Sequence, residues 1–249
     1  MKSINFKKLH SKLNGLLTIS IIILFSSCTT QSTFYVPNSQ TVTLFEEKKE
    51  LQLSANASTG ELGSGFNGKA AYSITDKFAA SASYYFGSAE QSEFVTTLDG
   101  KPGQIEAPFN LGELALGYYT GLGDSKGIFE VYGGWGMGGA QFDSKALHEA
   151  FQYNQFFVQP GIGGHLGLVD LAFSTRFNYA LWKSDFEQFY LEPALTFRVG
   201  WEKVKFQLQA LTSFSGEDLG LSSNQYHILG EQEEMYSLTF GVFMPIHFK

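Results

Sequence analysis

From about Glu50 to the carboxy terminus, apolar and polar residues alternate with a period of two through segment after segment. That period belongs to half-buried strands, because successive side chains of a strand point to opposite faces. The alternation predicts about ten strands, at 50–58, 65–75, 78–88, 111–121, 127–142, 153–166, 169–180, 188–201, 203–214 and 235–248. Strands of soluble proteins centre on about 5–6 residues, whereas a tilted strand that crosses a bilayer needs about 9–11. Tight links at Asp76-Lys77, Leu122 to Lys126, Gly167-Leu168 and Glu202 alternate with longer ones at 89–110, 143–152, 181–187 and 215–234, and only 59–64 is short in the second set. The expected fold is all-β: an up-and-down antiparallel transmembrane β-barrel of about ten strands. Such barrels have short turns on the periplasmic side and longer loops outside, so an even strand number puts both ends in the periplasm.

The composition of the two faces decides which one is outside. One face carries Phe129, Val131, Trp135, Phe156, Val158, Ile162, Phe173, Phe177, Leu195, Phe197, Phe206, Leu238 and Val242. The other carries Ala79, Ser81, Ser83, Gly134, Gly136, Gly138, Gln159, Gly161 and Gly163, with about one charge per strand. A water-facing exterior carries roughly 25–35% charged residues, which the small face lacks. It suits a narrow lumen, and the bulky face suits lipid. Tyr72, Tyr118, Trp182, Trp201 and Phe248 near strand ends are expected in the two interfacial aromatic girdles.

The first 49 residues follow a different pattern. Lys2, Lys7, Lys8 and Lys12 precede an apolar run from Gly15 to Phe25, too short for a spanning helix and laid out like an export signal. The run ends at Cys28, the only cysteine of the chain, so a disulfide framework within the chain is excluded. Leu24-Phe25-Ser26-Ser27-Cys28 resembles a bacterial lipobox of the Bacteroidota type. The resemblance implies a signal peptide at 1–27 and a lipidated amino terminus at Cys28. Residues 28–49, polar from Thr29 to Asn38, are then expected to be a lipid-anchored periplasmic tether, and 50–249 the barrel domain. Loss of four lysines with the signal takes the formal charge from −7 to −11, which argues against a nucleic-acid partner.

The last strand, Tyr236-Ser237-Leu238-Thr239-Phe240-Gly241-Val242-Phe243-Met244-Pro245-Ile246-His247-Phe248-Lys249, resembles the terminal signal of bacterial outer-membrane barrels. The resemblance implies that Tyr236, Phe240 and Phe248 are read by the barrel-insertion machinery. Together with the lipobox it implies outer-membrane lipid and the lipoprotein-sorting machinery as partners and the outer membrane as location. It implies no catalytic residue, and no cofactor is expected.

Charges on the polar face define a hairpin register. Setting Tyr179 opposite Phe189 brings Arg176 opposite Glu192 and Asp170 opposite Arg198, two opposite-charge pairs in one register. They are expected to be a structural plug of the lumen. A second register, expected between 127–142 and 153–166, sets Glu130 opposite His165 and Gly134 opposite Gly161. Pro160, Pro193 and Pro245 each lack a ladder donor, so bulges are expected there.

The sequence carries no nucleophile elbow, phosphate loop or zinc helix. The expected function is a non-enzymatic envelope or surface-contact protein. Three alternatives stand beside it. Some barrels resembling this architecture are proteases or modify lipid A, and here the chemistry would fall to His148 or His227. A small pore or apolar-ligand binder would use a gap left by the glycines of strands 127–142 and 153–166. A soluble, lipocalin-like tethered barrel would turn the apolar face inward.

Overall fold

The computed structural model describes residues 35–60, 63–96, 102–123, 126–144, 147–183, 187–216 and 235–248. Ten strands follow in chain order: β1 (Glu50–Gly60), β2 (Gly63–Ser73), β3 (Phe78–Thr96), β4 (Pro102–Gly121), β5 (Gly127–Ser144), β6 (Leu147–Leu166), β7 (Val169–Trp182), β8 (Glu187–Trp201), β9 (Val204–Ser215) and β10 (Met235–His247). Each pairs antiparallel with its sequence neighbours, and β1 pairs with β10 from Glu50↔His247 to Gly60↔Ser237, which closes the barrel. Closure leaves no edge strand to template aggregation.

Period-two alternation becomes an inside and an outside. Phe66, Leu116, Phe156, Phe173, Leu195, Phe206 and Phe240 are exposed on the outer wall, while Asn67, Ser83, Gln155, Ser174, Asn178, Thr196 and Gln209 are buried within. The expected assignment of the faces holds. Trp182 departs from it. It is only 7% exposed and its ring lies 5.6 Å from that of Tyr153 inside the barrel, whereas Trp201 stands 70% exposed on the outer wall. Trp182 therefore belongs to the upper lumen and not to a girdle.

The wall is uneven in height. β3 and β4 stay paired out to Thr96↔Pro102, and β5 and β6 out to Ser144↔Leu147. The loop expected at 143–152 is thus the top of a tall hairpin. This changes the β5–β6 register: Glu130 stands opposite Gly161 rather than His165, and Gly134 opposite Phe157 rather than Gly161. The shift of four residues follows from the shorter connection.

The prolines make no register shift. Val131 pairs with Pro160, Thr175 with Pro193 and Gln52 with Pro245. On the other side of Pro160 and Pro193, the ladders skip two residues and resume in the same register, from Val158↔Phe177 to Gly161↔Ser174 and from Leu191↔Phe214 to Ala194↔Leu211. The missing donors interrupt the ladder without inserting a residue, so the expected bulges are absent at these sites.

At Gly134 and Gly138 the inner wall leaves no gap. A Cβ on Gly134 would come within 2.3 Å of the Phe157 ring, and one on Gly138 within 2.5 Å of the Tyr153 ring. Each of these two glycines lets a neighbouring aromatic lie flat against the inner wall, so the space beside it is filled by side chains.

Candidate functional site: the strapped lumen

Residues 35–45, expected to be part of a flexible tether, run through the lumen as an extended strap without regular secondary structure. Tyr35, Asn38, Gln40, Thr43, Leu44 and Phe45 are all essentially inaccessible to solvent. An extended segment without ladder partners must find a mate for each buried N–H and C=O elsewhere, because an unpaired buried group costs about 1–3 kcal/mol. The inner faces of the strands supply mates for the N–H groups of Gln40, Thr43 and Leu44 and for the carbonyls of Ser39, Gln40, Thr41, Val42 and Leu44.

At the upper end, the end of the long connections, Tyr35 stacks on Tyr190 with ring centroids 4.1 Å apart. Its hydroxyl donates to Glu192 at 2.7 Å and accepts from Asn178 Nδ2 at 2.7 Å. Asn38 Nδ2 donates to Glu113 Oε2 at 2.8 Å, and Asn38 Oδ1 accepts from Asn67 at 2.7 Å. Midway, Gln40 and Gln209 imitate a strand pair: the Gln40 N–H donates to Gln209 Oε1 at 2.6 Å and Gln209 Nε2 donates to the Gln40 carbonyl at 3.1 Å. Lys69 Nζ donates to the carbonyls of Ser39 and Gln40 at 2.6 and 2.7 Å, and Gln159 Nε2 to that of Thr41 at 2.6 Å. Arg198 donates to the carbonyl of Val42.

At the lower end Glu130 receives Thr43 Oγ1 at 2.6 Å and the Leu44 N–H at 3.0 Å. His165 Nε2 meets the Leu44 carbonyl at 3.0 Å, and its Nδ1 meets Asp170 Oδ1 at 2.7 Å. Leu44 has a φ of +53° and Lys49 of +61°, a region that costs a non-glycine residue about 1–2 kcal/mol. Hydrogen bonds on both sides of Leu44 hold it there. The chain reverses over residues 46–49 and enters β1, whose first residue Glu50 faces His247 at the lower end of β10.

The charges expected in the lumen are placed as follows. Arg176 stands opposite Glu192 and Asp170 opposite Arg198 in the β7–β8 ladder. Side-chain contacts reach further than register. Arg176 Nη1 donates to Glu113 on β4 at 2.8 Å, its Nε lies 4.0 Å from Glu192 Oε2, and the guanidinium sits over the Phe157 ring at 4.4 Å. Asp170 takes Lys205 at 2.6 Å and His165 at 2.7 Å, while Arg198 stacks over the Phe243 ring at 3.8 Å and donates to Gln207 at 2.7 Å. Glu130 and His165 do not pair with each other. Each holds the strap. Two gaps beside the strap measure about 10 and 20 Å³, room for about one water each.

Gln159 was placed on the lumen face, but Lys69, Glu113, Lys205 and Gln209 were missed in the sequence, although an unmatched Lys69 and Glu113 on lumen faces signalled a partner outside the ladder. Tyr236, Phe240 and Phe248 are exposed on the outer wall near and along the last strand. His148 lies opposite Asp143 in the β5–β6 ladder. His227 and Cys28 lie outside the described residues. Among the described residues, no group of three or more His, Cys, Asp or Glu side chains converges to hold a metal ion.

No family model and no curated protein matches the sequence. Among solved structures, the amino-terminal β-barrel domain of OprF from Pseudomonas aeruginosa is similar at 12% identity and a TM-score of 0.38, over 80% of this chain and 99% of that one. OmpT, an outer membrane protein of Vibrio cholerae, is similar at 7% identity and a TM-score of 0.30, over 79% of this chain and 96% of that one. An anion-selective porin from Comamonas acidovorans is similar at 11% identity and a TM-score of 0.32, over 74% of this chain and 50% of that one.

Proposed function

We propose that this chain is an outer-membrane lipoprotein of a Gram-negative envelope, a plugged barrel that acts by contact rather than by transport or turnover. The observation that carries this reading is the strap. The chain's own residues 35–45, all but Thr41 buried, fill the lumen, and among the described residues the two gaps beside them measure about 10 and 20 Å³. The apolar outer wall supports a bilayer as its surroundings, because an exposed band of Phe, Leu, Val and Trp of this extent is costly in water. The same exterior opposes a lipocalin-like barrel, whose apolar side chains would face inward. The tall β3–β4 and β5–β6 hairpins rise above the rest of the wall and are the surface from which contact is made. Lipidation at Cys28 supplies a second hold on the membrane, and insertion is directed by the last strand with Tyr236, Phe240 and Phe248.

The test is expression with Cys28→Ser behind a cleavable non-lipoprotein signal. Retention in the outer-membrane fraction after carbonate washing, with heat-modifiable gel mobility, is the expected result. Release into the periplasm would show that the lipid was the sole anchor and would refute a spanning barrel.

A further inference from the structure

The direction of the strap has a consequence for the lipid. Tyr35 lies at the upper end of the lumen, against Tyr190, three residues from the start of β8, and against Tyr153 and Asn178. Phe45 lies at the lower end, against Tyr119, beside the short turn that joins β2 to β3. From Tyr35 to Phe45 the chain therefore runs down the lumen, from the end of the long connections to the end of the short turns, and β1 returns upward. The described chain thus begins, at Tyr35, at the upper end.

We propose that the amino terminus is delivered through the lumen to the long-loop side, so that a lipid on Cys28 is seated in the outer leaflet, at the cell surface, and not in the periplasmic leaflet. This rests on the barrel and lipidation reading above, and it replaces the expected periplasmic tether with an anchor on the opposite face. Cys28 is seven residues before Tyr35, which gives a reach of about 25 Å when fully extended. The strap itself spends eleven residues, Tyr35 to Phe45, in crossing the lumen. A return path would have to cross the same lumen beside the strap, where the gaps are about 10 and 20 Å³. Among the described residues, neither of these gaps admits a second polypeptide segment. The outward path is short. The wall is low at the β1–β2 connection, which joins Gly60 to Gly63, and at Trp182, where β7 ends. Acyl chains carried over that rim enter the hydrocarbon of the upper leaflet.

The chemistry inside the lumen agrees with a permanently threaded chain. Lys69, Glu130, Gln159, Arg198 and Gln209 each spend a polar group on the backbone of the strap. Withdrawing the strap would leave these buried groups unpaired together, so the threaded state is the stable one.

The experiment uses the full-length chain in intact cells, with an epitope tag between Thr30 and Gln31. Reference tags are placed between Gln225 and Tyr226, in the longest connection, and between Asp124 and Ser125, in a short turn. Labelling of the first two on intact cells, with the third labelled only after the outer membrane is permeabilised, is the expected result. A tag at Thr30 that is labelled only after permeabilisation, while the Gln225 tag is labelled on intact cells, overturns the proposal. A site for a sequence-specific protease at residues 31–34 gives the same reading with a smaller insertion: cleavage on intact cells lowers the mass of the barrel, and protection from it overturns the proposal. Heat-modifiable mobility and carbonate resistance are measured on every tagged chain. Their loss in the untagged chain as well would refute the membrane barrel itself, which separates the failure of that reading from the failure of this one.

Discussion

The carboxylate of Glu130 accepts the hydroxyl of Thr43 at 2.6 Å and the N–H of Leu44 at 3.0 Å, so one buried side chain on β5 fixes the bottom of the strap. This contact joins two parts of the chain 86–87 residues apart that share no ladder. It also sits where Leu44 takes a left-handed backbone, with a φ of +53°.

Replacing Glu130 by Gln keeps the size of the side chain and removes the charge. A hydrogen bond to a charged group contributes about 1.5–3 kcal/mol, and Glu130 serves both Thr43 and Leu44. Glu130→Gln is expected to loosen the strap before the barrel opens. Limited proteolysis between residues 35 and 49 should accelerate about tenfold or more in detergent, with the temperature of heat modification lowered only a little. Equal protection of the segment in variant and parent would show that Glu130 does not hold it.

Arg176 is 1% exposed and sits between two carboxylates, Glu113 at 2.8 Å and Glu192 at 4.0 Å. Removing one partner of a buried pair is costly, about 3–5 kcal/mol, because the remaining charge has no compensation. Arg176→Met is therefore expected to lower the urea midpoint of the folded barrel strongly. Adding Glu113→Gln should recover a large part of the loss, because the orphaned carboxylate is then neutral. A double variant no more stable than Arg176→Met alone would mean that the guanidinium acts through its packing over Phe157 and not through its charge.

The contrast between these residues explains how much of the molecule was legible beforehand. Strand number and the sidedness of nearly every residue followed from period-two alternation, because the bulky apolar face of each strand points outward and the small polar face inward. The β7–β8 register was legible because Arg176, Glu192, Asp170 and Arg198 impose two constraints on one hairpin. The β5–β6 register was not. It rested on the single pair Glu130 and His165, and both residues turn out to serve the strap. The strap itself escaped because its backbone pairs with side chains scattered over the barrel, which leaves no period in Tyr35-Val36-Pro37-Asn38-Ser39-Gln40-Thr41-Val42-Thr43-Leu44-Phe45. One signal was present: Tyr35, Val36, Val42, Leu44 and Phe45 are too apolar for a solvated tether, and they fill the apolar pockets at the two ends of the lumen.

If the strap is what closes the barrel, its removal must open it. Deleting residues 35–46 takes away the segment that, among the described residues, fills the centre of the lumen, while leaving all ten strands and the β1–β10 closure. The vacated path is about as wide as an extended chain and is lined by Lys69, Glu113, Arg176 and Arg198, which water and small ions can solvate. In planar bilayers the full-length protein is expected to be silent and the deletion to show small, salt-dependent conductance steps. A synthetic peptide of residues 35–46 added to the deletion should suppress them by rebinding. Heat-modifiable mobility of the deletion is measured alongside to show that the barrel has formed. A folded deletion that stays silent would mean that Arg176, the tyrosines and their neighbours block the lumen without the strap. The role of the segment would then be anchorage alone.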